Sequence, residues 1–238
     1  MANQPFKFKE FTVHQNQCAM KIGTDSVLLG AWANLKHNPY SILDIGAGTG
    51  ILALMLAQRS GAQVIDALEI DDNAYEQCVA NFEASPWSDR LFCYHASLVE
   101  FMTEIEDTYD VIISNPPFYS EAYKTGKIER DLARFTEAMP FEHLISAARK
   151  LLSEDGKFVV IIPFKEEAHF INLSKEFGLF PNQILHVKGH NSSPTIRSLI
   201  EFSFNNLDLK KTELIIEKTR QNYTEDYINL TKDFYLKM

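Results

Sequence analysis

The sequence predicts an α/β domain built on a doubly wound, mostly parallel sheet of seven strands that ends in an antiparallel hairpin. Three observations lead there. From residue 41 the chain alternates short apolar runs with segments of helical spacing, the βαβα order of a parallel sheet with helices on both faces. The apolar runs are nearly continuous, as in strands buried on both sides. Late in the chain, "NQILHVKG" and "RSLIEFSF" follow one another through "HNSSPTI" with no helix between them, so these two strands pair antiparallel.

The elements follow in order. "FKFKEFTVHQ" alternates like an edge hairpin, and "TDSVLLGAWANL" reads as a helix starting near Thr24. "SILDIG" is the first core strand. "TGILALMLAQRSG" is a helix with a glycine stop at Gly61. "QVIDALEI" is the next strand. "DDNAYEQCVANFEAS" has helical spacing, with Ala74, Cys78 and Phe82 on one face. "RLFCYHA" and "YDVIISN" are the third and fourth core strands. "FEHLISAARKLLSEDG" is expected to be helical up to Gly156, and "KFVVIIP" is the fifth strand. After the hairpin, "TELIIEKTRQNYTEDYINLTKDFYLKM" reads as one more strand and a closing helix. The predicted organisation is a hairpin and helix over residues 1–40, a core over 41–205, and a strand and helix over 206–238 packed on that core.

Composition narrows the class. The 238 residues suit one large domain, and 45% hydrophobic with 12% aromatic content supports a real core. No window reaches the run of about 18 apolar residues that a membrane helix needs, and the opening "MANQPFKFKE" lacks the apolar stretch of a signal peptide. The three cysteines (Cys18, Cys78, Cys93) are widely spaced with no C-x-x-C. They predict neither a disulfide framework nor a metal site, and point to a reducing, cytoplasmic setting. The formal net charge of −9 argues against a generic nucleic-acid binder and leaves room only for a local basic patch.

Two loops carry the chemistry. "LDIGAGTG" joins the first core strand to its helix, with glycines at 46, 48 and 50. A dinucleotide fingerprint would space them G-x-G-x-x-G, with a pyrophosphate at the helix N-terminus. Here Asp44 precedes Gly46, Gly48 and Gly50 and would repel a pyrophosphate, but it suits a ligand that is cationic there, such as an ammonium or a sulfonium. Glu69 closes the second core strand, where a carboxylate can accept both hydroxyls of a ribose. Asp71 and Asp72 are better read as helix-start acids.

The second loop is "SNPPFYS", at the end of the fourth core strand. An amine on sp² carbon is a poor nucleophile because its lone pair is delocalised. Two acceptors gripping its N–H groups draw the nitrogen toward tetrahedral geometry. The Asn115 side-chain oxygen can be one acceptor and the Pro116 carbonyl the other. Pro116 and Pro117 keep the loop stiff and add no competing donor. Phe118 offers a flat face for a base taken out of its stack.

These motifs resemble motif I, the acidic loop and the N-P-P-[FY] motif of class I S-adenosylmethionine-dependent amino methyltransferases, over roughly residues 41 to 204. The resemblance implies Asp44 and the 46–50 backbone beside the methionine part, Glu69 on the ribose, and Ser97 of "HASL" in the place of the acidic residue that meets the adenine amino group. It also implies that Thr24 and Asp25, in "CAMKIGTDSVLLGAWA", lie against the methionine end, with the N-terminal segment covering the cofactor site. With "KTGKIERDLARFTEAMP" and "YTEDYINLTKDFYL", the chain is similar over nearly its full length to the bacterial tRNA1(Val) (adenine37-N6)-methyltransferase family. That likeness implies an enzyme methylating an adenine beside the anticodon of one valine tRNA, with tRNA as partner; a monomer is expected. A basic patch of Lys7, Lys9, Lys124, Lys127, Arg130, Arg134 and Arg197 is expected to meet phosphates. N-P-P-[FY] by itself is shared with guanine-N2 ribosomal RNA enzymes and glutamine-N5 protein enzymes. A non-catalytic nucleoside-binding module is the remaining alternative.

Overall fold

A computed structural model describes residues 4–117 and 139–238. The short strands β1 (Phe6–Lys7) and β2 (Thr12–Val13) pair antiparallel as a separate two-stranded sheet. Helix α1 is Thr24–Trp32. The core then runs β3 (Ser41–Ile45), α2 (Ile51–Arg59), β4 (Val64–Glu69), α3 (Asp72–Glu83), β5 (Leu91–His95), α4 (Leu98–Glu104) and β6 (Tyr109–Ser114). It continues through α5 (Phe141–Leu151), β7 (Leu152–Pro163), a 3-10 turn at Phe164–Glu166, α6 (Glu167–Glu176), β8 (Phe180–His190) and β9 (Thr195–Ser203). The chain closes with β10 (Lys210–Thr219), β11 (Asn222–Tyr223) and α7 (Glu225–Thr231).

The main sheet has the order β11-β10-β8-β9-β7-β6-β3-β4-β5. The seven strands expected from the sequence, β3 to β9, lie side by side within it. The closing strand extends the sheet, because β10 pairs parallel to β8, and β11 then pairs antiparallel to β10. β9 runs against both β7 and β8, which makes the predicted antiparallel hairpin. Strand order reverses between β3 and β6, the place where a parallel sheet leaves a crevice at the carboxyl ends of its strands.

Alternation along the strands sorts the core into two layers. Ile42, Ile65, Ala67, Val111, Ile113, Val159 and Ile161 face α1, α2 and α3. Leu43, Ile45, Leu68, Ile112, Val160 and Ile162 face α4, α5 and α6. β3, β4, β6 and β7 therefore bury both faces.

Four elements differ from the sequence reading. The helix expected to reach Gly156 stops at Leu151, and β7 starts at Leu152. Between Leu152, opposite Tyr109, and Lys157, opposite Val111, the strand carries extra residues as a bulge. Gly156 closes it where a Cβ would come within 2.8 Å of the Leu152 side chain. Helices α4 and α6 were not anticipated. The N-terminal hairpin is not an edge of the main sheet. It packs on the tail instead: Phe8 bridges Tyr235, and the Lys9 amide donates to the Phe234 carbonyl at 2.9 Å.

Candidate active site

The glycine loop is shaped by its own hydrogen bonds. The amides of Gly46 and Ala47 both donate to the Leu68 carbonyl at the end of β4, at 3.0 and 2.9 Å, and the Gly50 amide donates to Ala47 at 2.8 Å. The Gly48 amide donates to Glu69 Oε2 at 2.7 Å. These N–H groups are consumed inside the loop, so the turn is not the open amide cradle that a pyrophosphate requires. Gly50, the N-cap of α2, has φ +76° and sits against Phe82 and Cys78, where a Cβ would come within 2.5 Å of the phenylalanine ring. Only glycine satisfies both the left-handed backbone and that contact.

Asp44 lies on β3, opposite Ala67 of β4 and Ile113 of β6. It is fully buried; its Oδ2 accepts from the Ala53 amide in the first turn of α2 at 3.2 Å, and its Oδ1 has no partner among the described residues. Burial raises its carboxyl from the usual range to about 7, the Ala53 amide opposes that rise, and the charge of Glu69 adds to it. A buried carboxylate oxygen without a donor fits a ligand that carries positive charge.

Glu69 is tied to the backbone on both oxygens. Oε1 accepts from Ile70 and Asp71 at 2.8 and 2.9 Å, and Oε2 accepts from Gly48. A carboxylate offers about four acceptor positions, so one position on Oε2 stays open to a ribose hydroxyl. A grip on both hydroxyls would require Oε1 to release an amide. Burial pushes the nearby Cys78 thiol well up and raises that of Cys18 to about 11.

Asn115 and Pro116 follow β6 directly, across the crevice from the loop. Pro116 is buried and Asn115 half-buried. Asn115 Nδ2 donates to the Ser26 hydroxyl of α1 at 2.9 Å. Among the described residues nothing donates to Asn115 Oδ1 or to the Pro116 carbonyl, the two acceptors expected from the sequence. Phe118, Lys124, Lys127, Arg130 and Arg134 lie outside the described residues.

The other candidates separate. Asp25 accepts from Arg197 Nε at 2.8 Å. The sequence had set one against the cofactor and the other against RNA, yet they form one ion pair tying α1 to β9. Thr24 is exposed at the start of α1. Lys7 is exposed in β1, whereas Lys9 Nζ donates to the Lys232 carbonyl in the tail. Ser97 is the N-cap of α4: its hydroxyl accepts from the Glu100 amide, and Glu100 in turn accepts from the Ser97 amide. This capping box occupies Ser97 structurally. Ser26 escaped the sequence reading because a serine in a first helical turn reads as a helix-start residue; its neighbour across the crevice is set by tertiary packing alone. A cleft of about 480 Å³ lined by Trp32, Lys36, Arg59 and Gln183 opens at the opposite, amino end of the strands, away from both loops.

Comparison with known proteins gives the family and the fold. The family model for the methyltransferase small domain matches residues 18–185. A tRNA1(Val) (adenine(37)-N6)-methyltransferase of Flavobacterium johnsoniae is 62% identical over 98% of this chain and 100% of its own length. One of Christiangramia forsetii with the same description is 59% identical over 100% of both chains. Among solved structures, a predicted O-methyltransferase of Agrobacterium tumefaciens superposes with a TM-score of 0.66 at 20% identity, covering 88% of this chain and 96% of its own. That last likeness speaks for the fold alone.

Proposed function

The chain belongs to the methyltransferase small domain family and, within it, to the tRNA1(Val) (adenine(37)-N6)-methyltransferase family, and on that premise we propose that it uses S-adenosylmethionine to methylate the exocyclic N6 of adenine 37 in tRNA1(Val). The observation that carries the reading is Asn115 at the carboxyl end of β6, with its amide nitrogen spent on Ser26 and, among the described residues, no donor to its oxygen.

When bound, S-adenosylmethionine supplies an electrophilic methyl group on a sulfonium sulfur. The residues suited to hold it are Asp44, for its positive charge, the Gly46–Gly50 turn, and Glu69, for its ribose. Asn115 Oδ1 and the Pro116 carbonyl accept the two N–H groups of the adenine amine, which localises the nitrogen lone pair and aims it across the crevice. Both acceptors sit on a loop stiffened by Pro116 and Pro117, so little reorganisation is needed as charge develops on nitrogen. The amine proton leaves to solvent after transfer, and no charged base is required. The same acceptor pair would serve a guanine-N2 or glutamine-N5 amine; the full-length similarity to adenine-N6 relatives favours the adenine.

The test uses methyl-labelled cofactor with total tRNA, ribosomal RNA or release factor, and nucleoside mass spectrometry of the product. Label is expected in tRNA as N6-methyladenine; label confined to protein or to ribosomal RNA would overturn the reading. Asn115→Ala is expected to abolish transfer and leave cofactor affinity within about twofold, since the two loops are separate structures. Near-normal turnover in that variant would remove Asn115 from the mechanism.

A further inference from the structure

We propose that Ser26 is a positioning residue for the transfer, anchoring the Asn115 amide so that its carbonyl end faces the crevice; this rests on the amine-methylation reading above. A primary amide has an acceptor end and a donor end, and its terminal torsion is broad and roughly two-fold. Presenting the donor end to the substrate would set N–H against N–H and leave no grip on the amine. The 2.9 Å contact between Asn115 Nδ2 and Ser26 Oγ satisfies the donor end outside the crevice. The hydroxyl is a suitable anchor because it accepts from Nδ2 while carrying no charge that would draw the carboxamide off line.

The anchor itself is held. Ser26 lies in the first turn of α1, which packs on α2 and β7. Its neighbour Asp25 is pinned by Arg197 of β9 at 2.8 Å. Arg197 lies opposite Pro163 at the carboxyl end of β7, the strand beside β6. The first turn of α1 is therefore fixed on one side by the hairpin and on the other by the catalytic asparagine. This gives the segment before the glycine loop a task in aiming the acceptor, separate from any contact with the cofactor.

The test compares Ser26→Ala with Ser26→Thr in steady-state methylation of tRNA, with cofactor affinity measured by calorimetry. Ser26→Ala is expected to lower kcat by about 10- to 100-fold, the scale of a misaligned reacting group, with KM for tRNA and Kd for cofactor within about twofold. Ser26→Thr keeps the hydroxyl and is expected to return kcat to within about threefold of the parent. The proposal is overturned by an unchanged kcat in Ser26→Ala, by a loss that falls on KM or Kd instead, or by a threonine variant as slow as the alanine one. Parent turnover on tRNA is read in the same experiment. Its absence sinks the amine-methylation reading, whereas parent turnover with a fully active Ser26→Ala sinks only the anchor.

Discussion

Asp44 is expected to couple the stability of the free protein and its affinity for cofactor to one proton, with opposite signs. Its carboxyl sits at about 7 in the folded chain because it is buried, against an ordinary value near 3.8 when unfolded. The folded state therefore binds more protons than the unfolded state between those two values, and stability falls as pH rises through that window. From pH 5 to pH 8 the expected loss is about 3 kcal/mol, levelling off above 7. That is a large part of the 5–15 kcal/mol typical of a folded domain. A cation at Oδ1 reverses the preference by favouring the ionised form, so cofactor affinity should rise about tenfold per pH unit from 5 toward 7 and then flatten. Urea unfolding of the free protein at pH 5 to 8 reads the first slope, and calorimetric titration with cofactor at pH 5 to 7 reads the second. Asp44→Asn should flatten both and weaken binding above pH 7. Parallel pH profiles in parent and variant, or affinity that does not change with pH in the parent, would refute the assignment of that proton to Asp44.

Three further outcomes follow from the same geometry. Glu69→Gln should weaken cofactor binding by calorimetry, since its amide nitrogen can accept from neither the Gly48 amide nor a ribose hydroxyl; unchanged affinity would remove Glu69 from the ribose. Gly50→Ala should cost about 3 kcal/mol in chemical denaturation, from the left-handed backbone and the contact with Phe82. Ser97→Ala should cost about 1 kcal/mol of stability as a lost cap and leave cofactor affinity within about twofold, whereas a tenfold weakening would restore Ser97 to the adenine.

The central layer was legible in the chain because its signals are local. Unbroken apolar runs, helical spacing and the closely spaced glycines beside Asp44 are each read within a few residues, and the resulting strands lie where those patterns put them. The two loops converge because both follow parallel strands flanking the reversal between β3 and β6, which βαβα order already implies. The misreadings have physical causes. α4 is a seven-residue helix, too short to show a period, and its start signal, serine followed three residues later by glutamate, falls on the same Ser97 that the resemblance sets near the adenine. The α5 to β7 boundary was placed late because "SEDG" looks like a helix end, while pairing of Leu152 with Tyr109 draws the strand start forward. Arg197 and Asp25 are 172 residues apart, and no pattern in either neighbourhood announces the other. The contact of Lys9 with the Lys232 carbonyl, 223 residues away, is equally silent in the chain.

The clasp between Phe8 and Tyr235 bears on how the molecule is made. Its two sides lie 223 residues apart at the Lys9–Lys232 contact, so this docking waits until α7 has been made, whereas Phe11 and His14 can already rest on Trp87 and Asn81. Phe8, buried in the finished protein, lacks its Tyr235 neighbour until α7 has been made, a period in which exposed apolar surface invites association. The central strands can meanwhile assemble from near neighbours, and the clasp should be the last part of the molecule to close and the first to open.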